Sequence, residues 1–265
     1  MKKIISLLVS LMILVSVFGC SKPADTTEKD LLGRIQERGT LIIATEGDWA
    51  PWTYHNEAGE LVGFDVELGK LIAAELGVEA QFEETLWDSI LAGVDSGRFD
   101  LACNGVGYTD ERAEKYSFSD PYIYTHKVLI VRSDNTEITK FEDLKGKTTA
   151  NTISSTYAQV AQSYGATVTP VDSLAETIEL LLSNRIDATI NSQDSFNTYM
   201  DAHPDAQIKI VAFSEGERVV IPMRKDNDSA TLVTAVNKAL QKLRDNGKLA
   251  ELSVKYFKTD NTQPN

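Results

Sequence analysis

The sequence predicts an α/β fold of two similar lobes, and two observations carry this prediction. From residue 40 onward, short β-rich runs alternate with amphipathic helical patterns, which is typical of βαβ units and a largely parallel sheet. In addition, the segment SGRFDLACNG (96 to 105) returns as SNRIDATINS (183 to 192), each copy after a helical pattern. We interpret the copies as one βα unit repeated in two lobes, the alternative being chance similarity within one sheet.

The predicted first lobe begins with the strand TLIIAT (40 to 45). A helix then follows in which apolar residues recur at helical spacing until Gly77 ends it: Phe64, Leu68, Leu71, Ile72 and Leu76. The next elements are the strand VEAQFEE (78 to 84), the helix LWDSILAGVDSG (86 to 97) and the strand RFDLAC (98 to 103).

The predicted second lobe lies between two crossings. The first crossing is FSDPYIYTHKVLIVR (118 to 132) and the second is ERVVIPMRK (217 to 225). Between them come the strand KTTAN, a serine-capped helix in ISSTYAQVAQ (153 to 162), and a helix whose buried face is predicted to hold Leu174, Ile178, Leu181 and Leu182. Helices over 229 to 247 and 248 to 257 return to the first lobe, so lobe 1 comprises 31 to 124 plus 223 to 265 and lobe 2 comprises 125 to 222.

The N-terminus has the pattern of a targeting segment. Lys2 and Lys3 precede an apolar stretch that is shorter than the ~20 residues of a spanning helix. The sequence VSVFGCS resembles a bacterial lipobox, which predicts a signal peptide over 1 to 19 and lipidation of Cys20, with an ordinary secretory signal or a short membrane anchor as the alternatives. Residues 20 to 30 are then a lipidated tether that anchors the protein to the cell membrane, at the cell surface or in the periplasm.

The charge of the chain excludes one class of partner. Without Lys2 and Lys3 the chain has 24 basic and 39 acidic side chains, so the mature net charge would be −15. Such a charge repels phosphate backbones, so we expect no nucleic-acid partner and a monomeric protein. With Cys20 lipidated, Cys103 is the one cysteine that remains, and a small buried core residue is the expected role.

No catalytic or metal-binding motif is present. His55, His126 and His203 are isolated, without Cys or carboxylates at metal-ligand spacing, and the P-loop and dinucleotide-binding patterns are missing. We therefore predict no metal, no cofactor and no catalytic residue.

The candidate binding residues suit a carboxylate. Arg112 offers a planar fork of donors, and Gly105 and Gly107 leave their backbone groups open to close approach. Ser155 and Thr156 lie at the predicted start of a helix, where free N–H groups favour an anion. The alternatives are a surface salt bridge from Arg112 to a neighbouring acid and plain helix capping by the serine.

Aromatic residues follow the first strand in TEGDWAPWTYH (45 to 55). Core packing is expected for Trp52 and Tyr54, whereas Trp49, at the turn before Pro51, is the better candidate for a pocket wall. Trp87, at a helix start, is compatible with either role.

These residues belong to motifs that resemble the extracytoplasmic solute-binding proteins of polar amino-acid ABC transporters. The motifs span residues 32 to 257 and include TEGDWAPW, GELVGFDVELGKLIAAELG, CNGVGYTDER, KYSFSDPY, FEDLKGKT, SSTYAQ, NRIDATIN and NGKLAELSVKYF. The amino-acid sequences of these motifs are most similar to those of the cystine-type branch of the family. The resemblance implies a type II periplasmic-binding-protein fold, in which two lobes joined by two hinge crossings close over a free amino acid and present it to an ABC permease.

The resemblance also implies roles for individual residues. Arg112 would bind the ligand's α-carboxylate with the N–H groups of Gly107 and of the segment around Ser155 and Thr156. The carbonyl of Gly105 would accept from the α-ammonium. Three further residues, Glu46, Trp49 and Trp87, would contact the ligand side chain.

One position departs from the family pattern. Ser192 stands where the family commonly has an aspartate for the α-ammonium, so Gly105, Glu46 or a displaced Asp194 would have to serve instead. An enzyme on the same fold, such as a cyclohexadienyl or arogenate dehydratase, is the alternative function, with Glu46 as its general acid.

Overall fold

The helices and strands that the sequence predicts occur in the predicted order, with further short elements between them. The structure is a computed structural model, and it describes residues 29 to 264. The helices are α1 (Leu31–Arg38), α2 (Phe64–Leu76), α3 (Trp87–Asp95), α4 (Asp110–Lys115), α5 (Thr156–Ser163), α6 (Leu174–Leu182), α7 (Gln193–Ala202), α8 (Ala230–Asp245) and α9 (Lys248–Phe257), with a short 3-10 helix at Phe141–Leu144. The predicted signal peptide and most of the predicted tether, Cys20 included, lie outside the described residues.

The strands form mixed sheets. The strands are β1 (Thr40–Thr45), β2 (Asp48–Trp49), β3 (Thr53–His55), β4 (Leu61–Val62), β5 (Glu79–Glu84), β6 (Leu101–Ala102), β7 (Tyr116–Phe118), β8 (Ile123–Arg132), β9 (Thr148–Asn151), β10 (Thr167–Pro170), β11 (Ala188–Ser192), β12 (Ile208–Val219) and β13 (Pro222–Arg224). One sheet has the order β5-β1-β6-β13-β7 and defines lobe 1; lobe 2 holds the order β11-β8-β12 and the pair β10-β9.

The antiparallel share of these sheets is larger than the sequence suggested. β1 runs parallel to β5 and β6, and β9 runs parallel to β10, as βαβ units require. In contrast, β8 runs antiparallel to both β11 and β12. β8 and β12 are antiparallel because they are the two crossings, which carry the chain between the lobes in opposite directions.

The two crossings lie side by side where they join the lobes. The register pairs Ile123 with Val219 at one end and Arg132 with Ile208 at the other. Ile123 and Val219 pack in the core of lobe 1, whereas Leu129 and Ile208 pack in cores of lobe 2. A paired ribbon of two strands therefore forms the connection around which hinge motion is possible.

The two copies of the repeat have the same local geometry at their start. The hydroxyl groups of Ser96 and Ser183 each donate to the carbonyl three residues earlier, both at 3.2 Å. The next residue is left-handed in each copy, with φ of 75° at Gly97 and 59° at Asn184. Glycine and asparagine are the residues that adopt this conformation most readily, so the repeat preserves the turn and not only the letters.

The aspartate of each copy also has one shared role. Asp100 accepts from the backbone N–H of Ile42 at 2.7 Å, and Asp187 accepts from the N–H of Thr148 at 2.7 Å. Ile42 and Thr148 lie on β1 and β9, the strands beside the copy in each lobe. These matching hydrogen bonds support the interpretation of one βα unit in two lobes.

The apolar spacing predicts the buried faces well, with one error. Phe64, Leu68 and Ile72 are fully buried against α8 and α9, so these last helices pack in lobe 1 as expected. In α6, Ile178 and Leu181 are buried, but Leu182 is 41% exposed. Leu182 is the last residue of its helix and comes directly after Leu181, so it faces about 100° away from the core.

Cys103 is buried in the core of lobe 1, as predicted, and burial raises the pKa of its thiol well above the usual value. Across residues 29 to 264, the helices are too short or too polar to cross a membrane.

Candidate functional site

A cavity lies between the two lobes, at the carboxyl ends of β1, β6 and β9. The empty space counted together with the open solvent at its mouth is about 530 Å³. Both lobes supply its lining: Glu46, Trp49, Trp87, Asn104, Gly105, Gly107, Arg112, Asn151, Thr152, Ser155, Thr156, Tyr157, Ser173 and Thr177. Eight of the nine predicted ligand-binding residues are therefore brought together, and Ser192 is the exception.

Arg112 is a buried cation that faces backbone groups. It is 8% exposed, and its Nη1 donates to the carbonyl of Gly107 at 2.9 Å. Its Nη2 donates to the carbonyl of Ser154 in lobe 2 at 3.4 Å, and the guanidinium lies 5.3 Å from the ring centroid of Trp87. No carboxylate of residues 29 to 264 forms a salt bridge with Arg112, so the alternative of a surface ion pair is absent there.

The positive charge of Arg112 is only partly neutralised, by a carboxylate that does not contact it. Burial lowers the pKa of Arg112, and the nearby Glu217 opposes that shift. Glu217 is itself paired with Lys127 at 2.6 Å, which neutralises much of its charge. A Cβ at Gly107 would come within 2.1 Å of a Glu217 oxygen, so a larger residue there would require the Glu217 side chain to move. Arg112 therefore keeps capacity for an anion that enters the cavity.

The start of α5 supplies donors from lobe 2. Ser155 is the N-cap, and its hydroxyl accepts from the N–H of Ala158 at 3.1 Å. Thr156 is the first helical residue and is 8% exposed. Ser155 therefore caps the helix. Because Ser155 and Thr156 also line the cavity, the helix start that Ser155 caps is the same helix start that is predicted to face an anion in the cavity.

Glu46 is held in an acidic part of the cavity. Burial, more than any other cause, raises its pKa from 4.5 to about 7. The hydrogen bond from Asn104 and the backbone of Trp87 lower the pKa, whereas the carboxylates of Asp48 and Asp172 raise it. A basic side chain within salt-bridge distance of Glu46 is absent across residues 29 to 264.

Asn104 fixes the position of Glu46. Its Oδ1 accepts from the N–H of Glu46 at 2.8 Å and from the hydroxyls of Thr45 and Thr53 at 3.1 and 3.2 Å. Its Nδ2 donates to the Glu46 carboxylate at 2.6 Å. The end of β6 is thus tied to the end of β1, and both ends face the cavity.

Gly105 turns the chain into the cavity. Its φ is 58°, and a Cβ there would lie 3.0 Å from the ring of Trp52. Its N–H donates to the fully buried Asp65 at 2.5 Å, and Tyr122 donates to the other oxygen of Asp65 at 2.8 Å. Burial raises the pKa of Asp65 to about 7. This network fixes the position of Gly105 in the cavity lining.

The aromatic residues divide as the sequence predicts for Trp52 and Trp49. Trp52 is 2% exposed and packs in the core of lobe 1. Trp49 lines the cavity and stacks on Tyr157 of lobe 2, with ring centroids 6.4 Å apart and planes 10° from parallel. Trp87 also lines the cavity, beside Arg112. Contacts such as that of Trp49 with Tyr157 bridge the two lobes.

Ser192 and Asp194 are not part of the cavity lining, although Ser192 is a hydrogen-bond partner of the lining residue Tyr157 and Asp194 is a charge near it. Ser192 is 1% exposed and is the N-cap of α7, where its hydroxyl accepts from the N–H of Ser195 at 3.1 Å. Asp194 accepts from Thr125 at 2.6 Å and from Asn261 at 3.0 Å. Ser192 thus caps a helix at the end of the second copy and is the one candidate residue outside the cavity lining.

Several lining residues of lobe 2 escaped the sequence reasoning. Asn151 and Tyr157 belong to segments that were singled out, but only neighbouring serines and threonines were assigned to the site. Asn151 ends β9, and a polar residue at the carboxyl end of a parallel strand is the signal that could have found it. A group of acidic, histidine or cysteine side chains able to hold a metal is absent from the described residues.

Comparison with known proteins gives a consistent picture. The family profile described as "Bacterial extracellular solute-binding proteins, family 3" matches residues 41–259. A "Probable amino-acid ABC transporter-binding protein" of Haemophilus influenzae is 36% identical over 234 residues, covering 88% of this chain and 91% of the relative. The L-cystine-binding protein TcyA of Bacillus subtilis is 35% identical over 267 residues, covering 98% and 99%.

Solved structures agree in fold. An ancestral arginine-binding protein bound to arginine has a TM-score of 0.78 and 35% identity, covering 83% of this chain and 99% of that structure. The ancestral amino acid-binding protein AncCDT-1, a precursor of cyclohexadienyl dehydratase, has a TM-score of 0.78 and 31% identity, covering 85% and 99%. The two-lobed type II fold is therefore shared along nearly the whole described chain.

Proposed function

This chain belongs to the bacterial extracellular solute-binding proteins, family 3, and on that premise we propose that it captures cystine or a similar polar amino acid in the cavity between its lobes. It is the amino-acid-binding component of an ABC importer, as its relatives are. The captured amino acid is delivered to the membrane permease. The observation that carries the proposal is a buried arginine, Arg112, that lacks a carboxylate partner among the described residues and faces a cavity lined by both lobes.

The α-carboxylate of the ligand binds to Arg112. A carboxylate matches the planar guanidinium bidentately, and Arg112 has donors beyond the two that reach backbone carbonyls. The N–H groups of Gly107 and of Thr156 at the α5 start complete the clamp from both lobes, beside Ser155, whose own N–H donates to the carbonyl of Thr152 at 3.0 Å.

The α-ammonium is received by the carbonyl of Gly105, with Glu46 as the nearest carboxylate of the lining. Ser192 and Asp194 are already engaged at α7 and at the crossing, so we do not assign the ammonium to them. Trp49 and Trp87 contact the ligand side chain as the walls of the cavity.

Ligand binding stabilises the closed arrangement. Closure is a hinge motion about the paired strands β8 and β12, and a ligand that contacts both lobes shifts the equilibrium toward the closed state. Cys20, outside the described residues, carries the lipid that holds the protein at the outer face of the cell membrane, where we expect it to act as a monomer.

A melting-temperature screen tests the proposal. The protein from residue 21 onward is heated with each common amino acid and with cystine, beside the variant Arg112→Ala. Ligand binding to the native state adds about 2.7 kcal/mol at a hundredfold excess over Kd, which is a measurable shift. A shift with one or a few amino acids that is lost in the variant supports the proposal, and the absence of any shift contradicts it.

A dehydratase is the second candidate, and the raised pKa of Glu46 favours it. A carboxyl with a pKa of about 7 is suited to general-acid catalysis near neutral pH. Incubation with prephenate and arogenate, followed by detection of phenylpyruvate and phenylalanine, tests this activity, with Glu46→Gln as the control. The lack of product from either compound excludes it.

A further inference from the structure

A buried ion pair joins the two crossings next to the carboxylate clamp. Lys127 on β8 and Glu217 on β12 approach each other with Nζ and Oε1 2.6 Å apart. Their side chains are 13% and 6% exposed, so water screens this pair far less than it screens a surface salt bridge. Both residues lie outside the cavity lining.

The paired oxygen of Glu217 contacts both arms of the clamp. Thr156, at the start of α5 in lobe 2, donates from its hydroxyl to Oε1 at 3.4 Å. In lobe 1, Oε1 lies 2.1 Å from the position that a Cβ on Gly107 would occupy, so it packs against this glycine. Burial raises the pKa of Tyr157 in the cavity lining, and the charge of Glu217 raises it further. A carboxylate therefore lies against two residues whose N–H groups hold the ligand's carboxylate in the proposed function.

A carboxylate at this place needs a partner that neutralises it. An ionised Glu217 repels a second carboxylate that enters the clamp, and the repulsion is strong where water is excluded. Among residues 29 to 264, Lys127 is the cation that forms a salt bridge with Glu217, and Arg112 does not. Because Lys127 takes up the charge of Glu217, Arg112 remains available to the ligand.

We propose that Lys127 and Glu217 are positioning residues for the ligand's α-carboxylate. Glu217 accepts from Thr156 and packs against Gly107, so it fixes the two arms of the clamp relative to each other. Lys127 cancels the negative charge that Glu217 would otherwise present to the ligand. This inference rests on the proposed function, in which Arg112 binds the α-carboxylate.

The test compares amino acids with their α-amides, which lack the carboxylate charge and differ little in shape. Cystine, glutamine and arginine are each titrated by calorimetry beside the corresponding α-amide. The selectivity ratio is the Kd of the amide divided by the Kd of the acid. The readout is the change of this ratio between each variant and the wild type, so the different amine ionisation of acid and amide cancels.

Two single variants should change the selectivity ratio differently. Lys127→Met leaves the charge of Glu217 without a partner, so we expect the ratio to fall at least about tenfold. Glu217→Gln leaves the charge of Lys127 without a partner, so the ratio should equal or exceed that of the wild type. The double variant has neither charge and should restore the ratio to within about threefold of the wild type. A loss of packing acts on acid and amide alike, so a merely structural role would not produce this pattern.

Lys147→Met is the matched control. It breaks the salt bridge of Lys147 with Glu137, which is 2.7 Å long, and changes the net charge of the protein by the same amount. Both residues lie outside the cavity lining, so the selectivity ratio should remain that of the wild type.

The outcomes distinguish this inference from the function beneath it. A wild-type ratio in Lys127→Met, or a double variant as poor as Lys127→Met, overturns the role of the ion pair alone. A tenfold fall in Glu217→Gln also overturns it, and this variant decides the question if Lys127→Met does not fold. Wild-type ratios near one, or failure of all three amino acids to bind, overturn the proposed function and this inference with it.

Discussion

The two copies of the repeated segment share a scaffold and differ in the direction that the chain takes at their ends. In both, an aspartate accepts from the N–H of the neighbouring strand at 2.7 Å. In lobe 1 the copy ends at Gly105, with φ of 58°, and the chain turns along the cavity. In lobe 2 it ends at Ser192, with φ of −69°, and α7 begins there.

The asparagine that ends each strand differs in the same way. Asn104 accepts from three donors and donates to Glu46, so it ties two strand ends together at the cavity. Asn191 accepts from the N–H of the next residue and stays outside the cavity lining. The repeated motif thus preserves a folding unit, whereas the conformation of the next residue decides whether that unit faces a ligand.

The difference between the two lobes is largest at Arg112, because the part of the cavity lining that belongs to lobe 2 contains no arginine. Replacing Arg112 by alanine leaves the ligand carboxylate without its charge partner, which should cost about 2 to 5 kcal/mol of binding free energy. Calorimetric titration with the amino acid found in the melting screen measures the loss. Arg185→Ala, an exposed arginine in the lobe 2 copy, is the control and should bind like the wild type.

The two asparagines provide the next test. Asn104→Leu removes a donor and an acceptor that serve four hydrogen bonds, so we expect a loss of about 2 to 4 kcal/mol in the free energy of unfolding together with weaker ligand binding. Asn191→Leu should cost about 1 kcal/mol of stability and leave affinity unchanged. Urea denaturation and calorimetry of both variants give the two quantities. If Asn104→Leu and Asn191→Leu changed the ligand affinity equally, the asparagine of the lobe 1 copy would have no special role at the cavity.

Glu46, which is hydrogen-bonded to Asn104 of the lobe 1 copy, makes the stability of the protein depend on pH. Its pKa is raised from 4.5 to about 7, so the protonated carboxyl favours the folded state. This stabilisation is complete below about pH 4.5 and is lost as the pH rises through about 7. Between about pH 5 and pH 8 the free energy of unfolding of the wild type should therefore decrease as Glu46 ionises. We expect the decrease in Glu46→Gln to be smaller by about 1 to 2 kcal/mol.

Urea denaturation at several pH values measures this difference in the ligand-free protein. Asp65 also has a pKa raised to about 7, and its contribution remains in both proteins, so the comparison isolates Glu46. Parallel pH profiles for the wild type and Glu46→Gln would show that Glu46 ionises as an exposed carboxyl does.

The smallest effect is expected at Ser192. Ser192→Ala removes the N-cap of α7, which should cost about 1 kcal/mol of stability. Because Ser192 lies outside the cavity lining, the affinity for the amino acid should stay within about twofold of the wild type, by calorimetry. A tenfold loss of affinity without a matching loss of stability would restore the family's ammonium role to this position.

Local patterns in the sequence predict much of this molecule because their causes are local. The apolar spacing from Phe64 to Leu76 with Gly77 after it predicts α2, and the serine of ISSTYAQ predicts the cap of α5 at Ser155. The freedom of glycine for close approach predicts the roles of Gly105 and Gly107, and a Cβ at either position would press on a neighbouring side chain, Trp52 at 3.0 Å or Glu217 at 2.1 Å.

Contacts between distant segments account for the features that the sequence did not predict. The stack of Trp49 on Tyr157 joins two lobes and has no signature in either segment. The asparagines at 104 and 191 look alike in the sequence, and only the backbone after each one separates a cavity residue from a structural one. The unpartnered Oδ1 of Asn151 depends on its bond to Ile190, which is 39 residues away.

The most direct test of the proposed binding site is whether Arg112 and the ligand's carboxylate act on each other. The amino acid with the largest melting shift and its α-carboxamide, which lacks the carboxylate charge, are titrated against the wild type and Arg112→Ala by calorimetry. We expect amidation to weaken binding to the wild type about 30-fold or more and to have little effect on the variant. An equal loss in both proteins would mean that the carboxylate binds elsewhere.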